Sequence, residues 1–290
     1  MTAISPSPTL RPGSRLISLW TLWVLTLRQY LHGKRWLIMG ALFLLPAGLA
    51  LLVRCTRHNV PLVDLEFLFG FMFIPQALLP LVALIYASGM IQDEQEEQTI
   101  TYLLIRPLPR WMIYAAKLAA TIVTTVVLTA VFTALTYAAI YAGSDPGASS
   151  TVTRCLQAIC LHSLAVTTYC CLFGLMSLLT KRTLVYGILY TSIVEGLFAN
   201  MAFSIRLITV IYYCRVIAYR WMDFSNTANG GSENMAADAW QLGTTDIQLA
   251  QHPSPAACVA TLLIASLVFA AAGAFICSRR EFHVKTPEKS

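Results

Sequence analysis

Five stretches of this chain run without Asp, Glu, Lys or Arg for long enough to cross a lipid bilayer, and this limits the available folds more than any other feature. They extend from Trp36 to Val53, Phe67 to Ile91, Leu118 to Ala142, Cys155 to Thr180 and Ala256 to Cys277. A helix needs roughly 17 to 25 apolar residues to cross the hydrocarbon, at about 1.5 Å of rise per residue. Only helices and closed barrels satisfy every backbone donor and acceptor in that medium, and continuous apolar runs select helices. A sixth run, Thr183 to Ile205, qualifies with a single carboxylate, Glu195. The expected fold is all-α, a polytopic membrane protein with six transmembrane helices. Composition agrees: 57% of the residues are hydrophobic and 12% charged, far from the balance of a soluble globular domain.

The basic residues orient the spans. With the N-terminus in the cytoplasm, fourteen Lys and Arg fall on inner segments and six on outer ones, namely Arg54, Arg57, Arg154, Arg206, Arg215 and Arg220. This is the positive-inside bias of a cytoplasmic membrane protein with both termini inside. The short run Leu16 to Leu27, with Trp20 and Trp23 near its middle and Arg15 and Arg28 at its ends, suits an interfacial helix over about 15–33. Ahead of it, residues 1–13 are rich in Pro and Ser and read as disordered. The rest, 14–290, reads as one membrane domain with spans at about 36–53, 67–91, 112–142, 155–180, 183–205 and 256–277. Residues 206–255 read as an outer interfacial or re-entrant segment followed by a polar loop, because Arg206, Arg215, Arg220, Tyr212, Tyr213 and Trp221 interrupt a helical apolar stripe.

Several chemistries find no support. There is no G-x-x-x-x-G-K-[ST] phosphate loop, so the chain is not expected to hydrolyse ATP itself. His32, His58, His162, His252 and His283 are scattered, with no H-E-x-x-H, no zinc spacing and no G-x-S-x-G elbow, so neither a catalytic residue nor a metal ligand set is assigned. Cys155, Cys160, Cys170, Cys171, Met176 and Met201 would suit copper(I), but buried Cys and Met more often fill space between helices. No nucleic-acid partner is expected.

Between the second and third runs lies QDEQEEQTITYLLIRPLPR, Gln92 to Arg110. Ile100, Leu103 and Leu104 recur at helical spacing, which predicts a short amphipathic helix from about Glu97 to Ile105. Asp93, Glu94, Glu96 and Glu97 would stand at its positive N-terminal end, and Pro107 would stop it. Lys117, about 10 Å into the third span, is expected to snorkel back to the interface.

Acidic residues, then TxxxLL, then PxxR and a Lys in the next helix, all placed after the second of six spans, resemble the membrane subunits of ATP-binding-cassette (ABC) type 2 transporters. The resemblance implies that the loop at 92–111 holds a coupling helix and that the interfacial helix is the elbow. It implies docking to a separate ATPase subunit through Glu94, Glu97, Thr99, Leu103, Leu104, Pro107 and Arg110. It also implies a second permease subunit, a lipid bilayer as the working medium, and ATP with Mg bound only on the partner. Gln98 and Pro109 depart from the family pattern, where Gly and Ser are often found. The function implied is a non-enzymatic permease subunit, for export. A membrane scaffold or sensor, and a self-contained ion-coupled carrier, are the alternatives.

Within the membrane the polar candidates are Glu195 and His162. A carboxylate at mid-depth costs a few kcal/mol unless paired or neutralised, which marks Glu195 as a functional candidate. Depth counting from the Lys181-Arg182 turn sets His162 well away from it, so direct pairing is not expected.

Overall fold

The computed structural model describes residues 12–32, 35–56, 60–96, 109–143, 148–180, 182–201, 204–222, 224–226, 233–240 and 252–279. Helix α1 spans Pro12–His32 and α2 Arg35–Thr56. The next helix changes type along its length: α3 (Leu62–Leu65), a π-helical stretch π1 (Glu66–Leu78) and α4 (Leu79–Glu96). Then come α5 (Arg110–Tyr141), α6 (Ala148–Leu179) and α7 (Thr183–Tyr190). A second π stretch, π2 (Thr191–Leu197), and a 3-10 turn (Phe198–Asn200) follow, and another 3-10 turn (Ser204–Ile208) leads into α8 (Val210–Trp221). Strands β1 (Ser225–Asn226) and β2 (Glu233–Asn234) pair antiparallel, α9 covers Met235–Trp240, and α10 (Pro255–Arg279) closes the described chain.

Among the described residues five helices are long and apolar enough to cross a membrane: Arg35–Thr56, Leu62–Met90, Arg110–Tyr141, Ser150–Leu179 and Pro255–Arg279. The expected sixth, Thr183 to Ile205, differs. It runs as α7, π2 and a 3-10 turn to Asn200, and Met201 is extended. The chain turns there because Glu195 and Asn200 take hydrogen bonds that a straight helix would leave to the backbone, as described below.

Two span limits also move. The second helix begins at Leu62, ahead of the expected Phe67, and so contains Asp64 and Glu66. The fourth begins at Ala148, ahead of the expected Cys155, and contains Arg154. A charge ends an apolar run in sequence, yet the helix continues through it when an opposite charge meets it. Pro75 lies inside π1, whose wider i→i+5 turn carries the Leu79 N–H to the Ile74 carbonyl and makes room for a ring that an α-turn would crowd.

Helix α6 is the axis of the bundle: α4, α5 and α10 all pack along it, and α8 leans on its far end. The interior is aromatic and tightly fitted, with Tyr86, Tyr114, Tyr137, Tyr169, Phe43 and Phe173 almost wholly inaccessible. Tyr114 fits between α6 and α10 only because Gly174 and Gly273 lack side chains; a Cβ on Gly273 would lie 2.2 Å from the Tyr114 hydroxyl. Helix α1 climbs the flank of α5, burying Leu22, Thr26 and Tyr30, while Ile17, Trp20 and Leu25 face outward.

Candidate functional site

Helix α5 carries two rows of residues at intervals of four. Val123, Val127, Val131 and Leu135 form the exposed row. Lys117, Thr121, Thr125, Thr129, Thr133 and Tyr137 form a buried one, which Tyr141 continues half-buried. A row at this spacing drifts about 40° per step around a helix of 3.6 residues per turn, so it cannot stay against one neighbour. Its partners change accordingly, from α1 to α6 to π1.

Thr121 Oγ1 lies 3.0 Å from the Lys117 carbonyl and shares a 2.9 Å hydrogen bond with the Tyr30 hydroxyl, in which either can donate. Thr125 Oγ1 lies 2.9 Å from the Thr121 carbonyl and shares a 3.3 Å hydrogen bond with the Cys170 thiol, in which either can donate. Thr133 Oγ1 pairs with His162 Nδ1 at 3.0 Å, and the His162 ring lies 5.8 Å from that of Phe71.

Helices α5 and α6 are antiparallel, and the pairs Thr125 with Cys170 and Thr133 with His162 show their register: eight residues forward on one are answered by eight back on the other. The same step places Val166 opposite Thr129. Thr129 Oγ1 is fully buried and has no hydrogen-bond partner. Thr129→Val is therefore expected to be neutral or to raise the unfolding temperature, since it removes an orphaned hydroxyl at nearly constant volume. Thr133→Val should lower the unfolding free energy by about 0.5–1.5 kcal/mol, and the unfolding temperature with it, because it removes the partner of His162 Nδ1. Thermal unfolding of the two purified variants in one detergent checks the opposite signs.

One more eight-residue step from the His162 pair reaches Tyr141 and Arg154, and these two meet on Glu66. The Glu66 carboxylate is fully buried; it accepts from Tyr137 at 2.7 Å, from Tyr141 at 2.8 Å, and from Arg154 Nε at 3.1 and 3.0 Å to its two oxygens. The Arg154 guanidinium also stands 5.8 Å above the Phe224 ring. One positive and one negative charge, both hydrogen-bonded, form a cluster that low-dielectric surroundings can hold. At the other end Lys117 does not snorkel outward as expected. It is 4% exposed, and its Nζ donates to the Met90 carbonyl at 2.8 Å, because α4 packs closely enough on α5 to offer that acceptor. Lys117 thus joins the two helices that flank the acidic loop.

Glu195 lies in π2, fully buried. It accepts from the Val210 and Ile211 amides at 3.0 and 3.1 Å and from the Tyr190 hydroxyl at 3.2 Å. Thr209 Oγ1 accepts from the Tyr212 amide at 3.4 Å. Three of the four free amides at the start of α8 are thereby satisfied, two of them by a charge that the helix dipole favours. From α8, Arg215 reaches back to the Ala199 carbonyl at 3.2 Å, Asn200 Oδ1 at 3.0 Å and Gln76 Oε1 at 3.4 Å. Glu195 and His162 belong to separate networks.

Of the residues assigned to coupling, Arg110 opens α5, and its carbonyl accepts from the Cys277 thiol at 3.6 Å. Glu94 lies in the last turn of α4, its side chain outside the described part. Glu97, Thr99, Leu103, Leu104 and Pro107 lie outside the described residues. Among the described residues no three His, Cys, Asp or Glu side chains gather as a metal site would need.

The order of these elements, with two long apolar helices, an acidic connection and two more long helices in antiparallel contact, invites comparison with known membrane proteins. A family model described as ABC-2 family transporter protein matches residues 32–214, from the end of α1 into α8. The chain belongs to the ABC-2 transporter family. It is a multi-pass, non-catalytic membrane component of such a transporter. No curated protein matches this ABC-2 chain individually. The Glu66 to Arg154 cluster, the α5 row and the Glu195 contact all fall within the matched residues. Sequence reading missed the first two, although threonines at intervals of four were visible in the third span.

Proposed function

We propose that this chain is the permease half of an ABC-2 exporter, driven by a separate ATPase subunit that docks on residues 92–111. Two permease subunits, identical or different, would enclose the path, and both termini would lie in the cytoplasm. On this reading α7 through Asn200 serves as a shorter sixth span, α1 is the elbow helix, and α8 with the following segment forms the outer closure. The observation that carries the reading is the family match, which extends across the acidic connection between α4 and α5. Helix geometry supports it. Lys117 ties α5 to Met90 on α4, so a push on the loop between them would move both helices as one body. Glu94, Glu97, Thr99, Leu103, Leu104, Pro107 and Arg110 are the docking residues, and ATP with Mg is bound by the partner.

The test reverses charge at the proposed contact. Glu94→Lys with Glu97→Lys is expected to abolish copurification of the ATPase subunit, or to leave it bound with its stimulated hydrolysis reduced at least tenfold. Wild-type copurification and stimulation in the double variant would remove the coupling role from this segment.

A further inference from the structure

His162 is a buried ionisable side chain outside both the Glu66 cluster and the Glu195 contact. It lies in the middle of α6 and is wholly inaccessible. Its Nδ1 is engaged with Thr133 on α5 at 3.0 Å, whereas Nε2 has no aligned hydrogen-bond partner among the described residues. The ring faces π1: it lies 5.8 Å from the ring of Phe71, and the backbone of Gly70 interacts with it.

Gly70 is where the π-helical ladder is broken. In an i→i+5 ladder, the pattern of the bond from the Leu79 N–H to the Ile74 carbonyl, the Gly70 carbonyl takes the amide of residue 75. Position 75 is proline and has no N–H. A carbonyl denied its donor and a ring nitrogen without a partner thus stand on facing elements, and each left alone carries a desolvation cost. A neutral imidazole offers one acceptor and one donor on separate nitrogens. With Nδ1 accepting from the Thr133 hydroxyl, Nε2 carries the hydrogen and meets a carbonyl oxygen. The opposite tautomer would set two lone pairs against each other.

We propose that His162 is a positioning residue: from α6 it supplies the donor that Pro75 withholds, Nε2–H to the Gly70 carbonyl, and so holds the second long helix in its π form. In an α form the ladder would leave Phe71, not Gly70, without its donor, and the Pro75 ring would crowd that carbonyl. The difference reaches both ends of π1. A helix closed at i→i+5 turns less per residue than one closed at i→i+4, so the form sets the angle between Glu66, which meets Arg154, and Gln76, which accepts from Arg215.

Solid-state NMR of the intact chain in lipid bilayers tests this without any substitution. Among the fifteen glycines only Gly70 precedes a phenylalanine, so carbonyl carbon-13 glycine combined with nitrogen-15 phenylalanine isolates one carbonyl signal. Ring nitrogen-15 labelling shows five histidines, and the one lost in His162→Gln is His162. The expected result is a protonated Nε2, an unprotonated Nδ1, and magnetisation transfer between Nε2 and the Gly70 carbonyl as in a directly hydrogen-bonded pair. His162→Leu should move the Gly70 carbonyl signal to the position of an unbonded carbonyl. His162→Gln, whose amide keeps an acceptor for Thr133 and a donor for Gly70, should leave it near the wild-type position. Pro75→Ala combined with His162→Leu should also return it, since the restored amide lets the ladder serve that carbonyl in either form. An Nε2 without a hydrogen, or no transfer between Nε2 and the Gly70 carbonyl in the unaltered protein, would overturn the proposal, as would an unmoved carbonyl signal in His162→Leu.

Discussion

Glu66→Gln is expected to destabilise the purified protein by about 3–5 kcal/mol, the usual consequence of removing one partner from a buried ion pair. The fully buried carboxylate gathers two tyrosines and Arg154, whose side chain is 22% exposed, so the cost falls at the lower end of that range. Without its charge, the Arg154 guanidinium keeps its desolvation cost and loses the compensating attraction. Arg154→Met should cost a similar amount for the mirrored reason. Changing both, as Glu66→Gln with Arg154→Met, should cost much less than the sum, since neither charge is then stranded. Tyr141→Phe should cost only about 1 kcal/mol, the worth of one hydrogen bond. Thermal or denaturant unfolding of the four proteins in detergent measures the cycle. Strict additivity of the two charge changes would mean that Glu66 and Arg154 are not coupled.

Glu195→Ala is the second large effect, and it is local. Two amide donors at the start of α8 and a tyrosine hydroxyl lose a charged acceptor. Bonds to charged groups contribute roughly 1.5–3 kcal/mol each. The expected results are loss of hydrogen-exchange protection at Val210 and Ile211, by at least a hundredfold, and new protease cleavage between residues 201 and 222. Glu195→Gln keeps one acceptor oxygen and should fall between wild type and Glu195→Ala. If protection at these two amides is unchanged in Glu195→Ala, the carboxylate does not anchor α8, and its cost in the membrane interior needs another explanation. Because α8 carries Arg215 back to Gln76 on π1, release of its first turn should also loosen that contact.

Much of this architecture was legible in the sequence, for identifiable reasons. Apolar length alone identified the five long helices, because a bilayer admits few alternatives. The helical stripe of Ile211, Cys214 and Ala218 pointed to a helix here, although α8 buries Val210, Tyr212, Arg215, Val216 and Ile217 as well and so is covered nearly all round. Charge misled the reading at the edges. Glu66 and Arg154 ended their runs as though water began there, whereas 88 residues of separation in sequence hide that they neutralise each other. Lys117 was treated as a lone cation with only the interface to reach, since a carbonyl acceptor on another helix leaves no trace in composition. Glu195 was identifiable as unusual from its depth. Its partners were not, because they are backbone amides brought back by a turn at Met201 that a hydrophobicity window averages away. The acidic loop at 92–111 gave the clearest family signal, through its position between spans as much as its residues.

The buried row on α5 has a geometric property of its own. Like groups at a constant pitch are interchangeable: moving α5 along its axis by about 6 Å, four residues of rise, and turning it back by about 40° would set Thr125 where Thr121 meets Tyr30 and Thr129 where Thr125 meets Cys170. Such a scale tells neighbouring helices their direction but not which mark to read. Only its two ends are unique. Lys117 on the Met90 carbonyl and Tyr137 and Tyr141 on Glu66 act as the zero marks of a vernier, and with both engaged a single alignment of the bundle satisfies every contact.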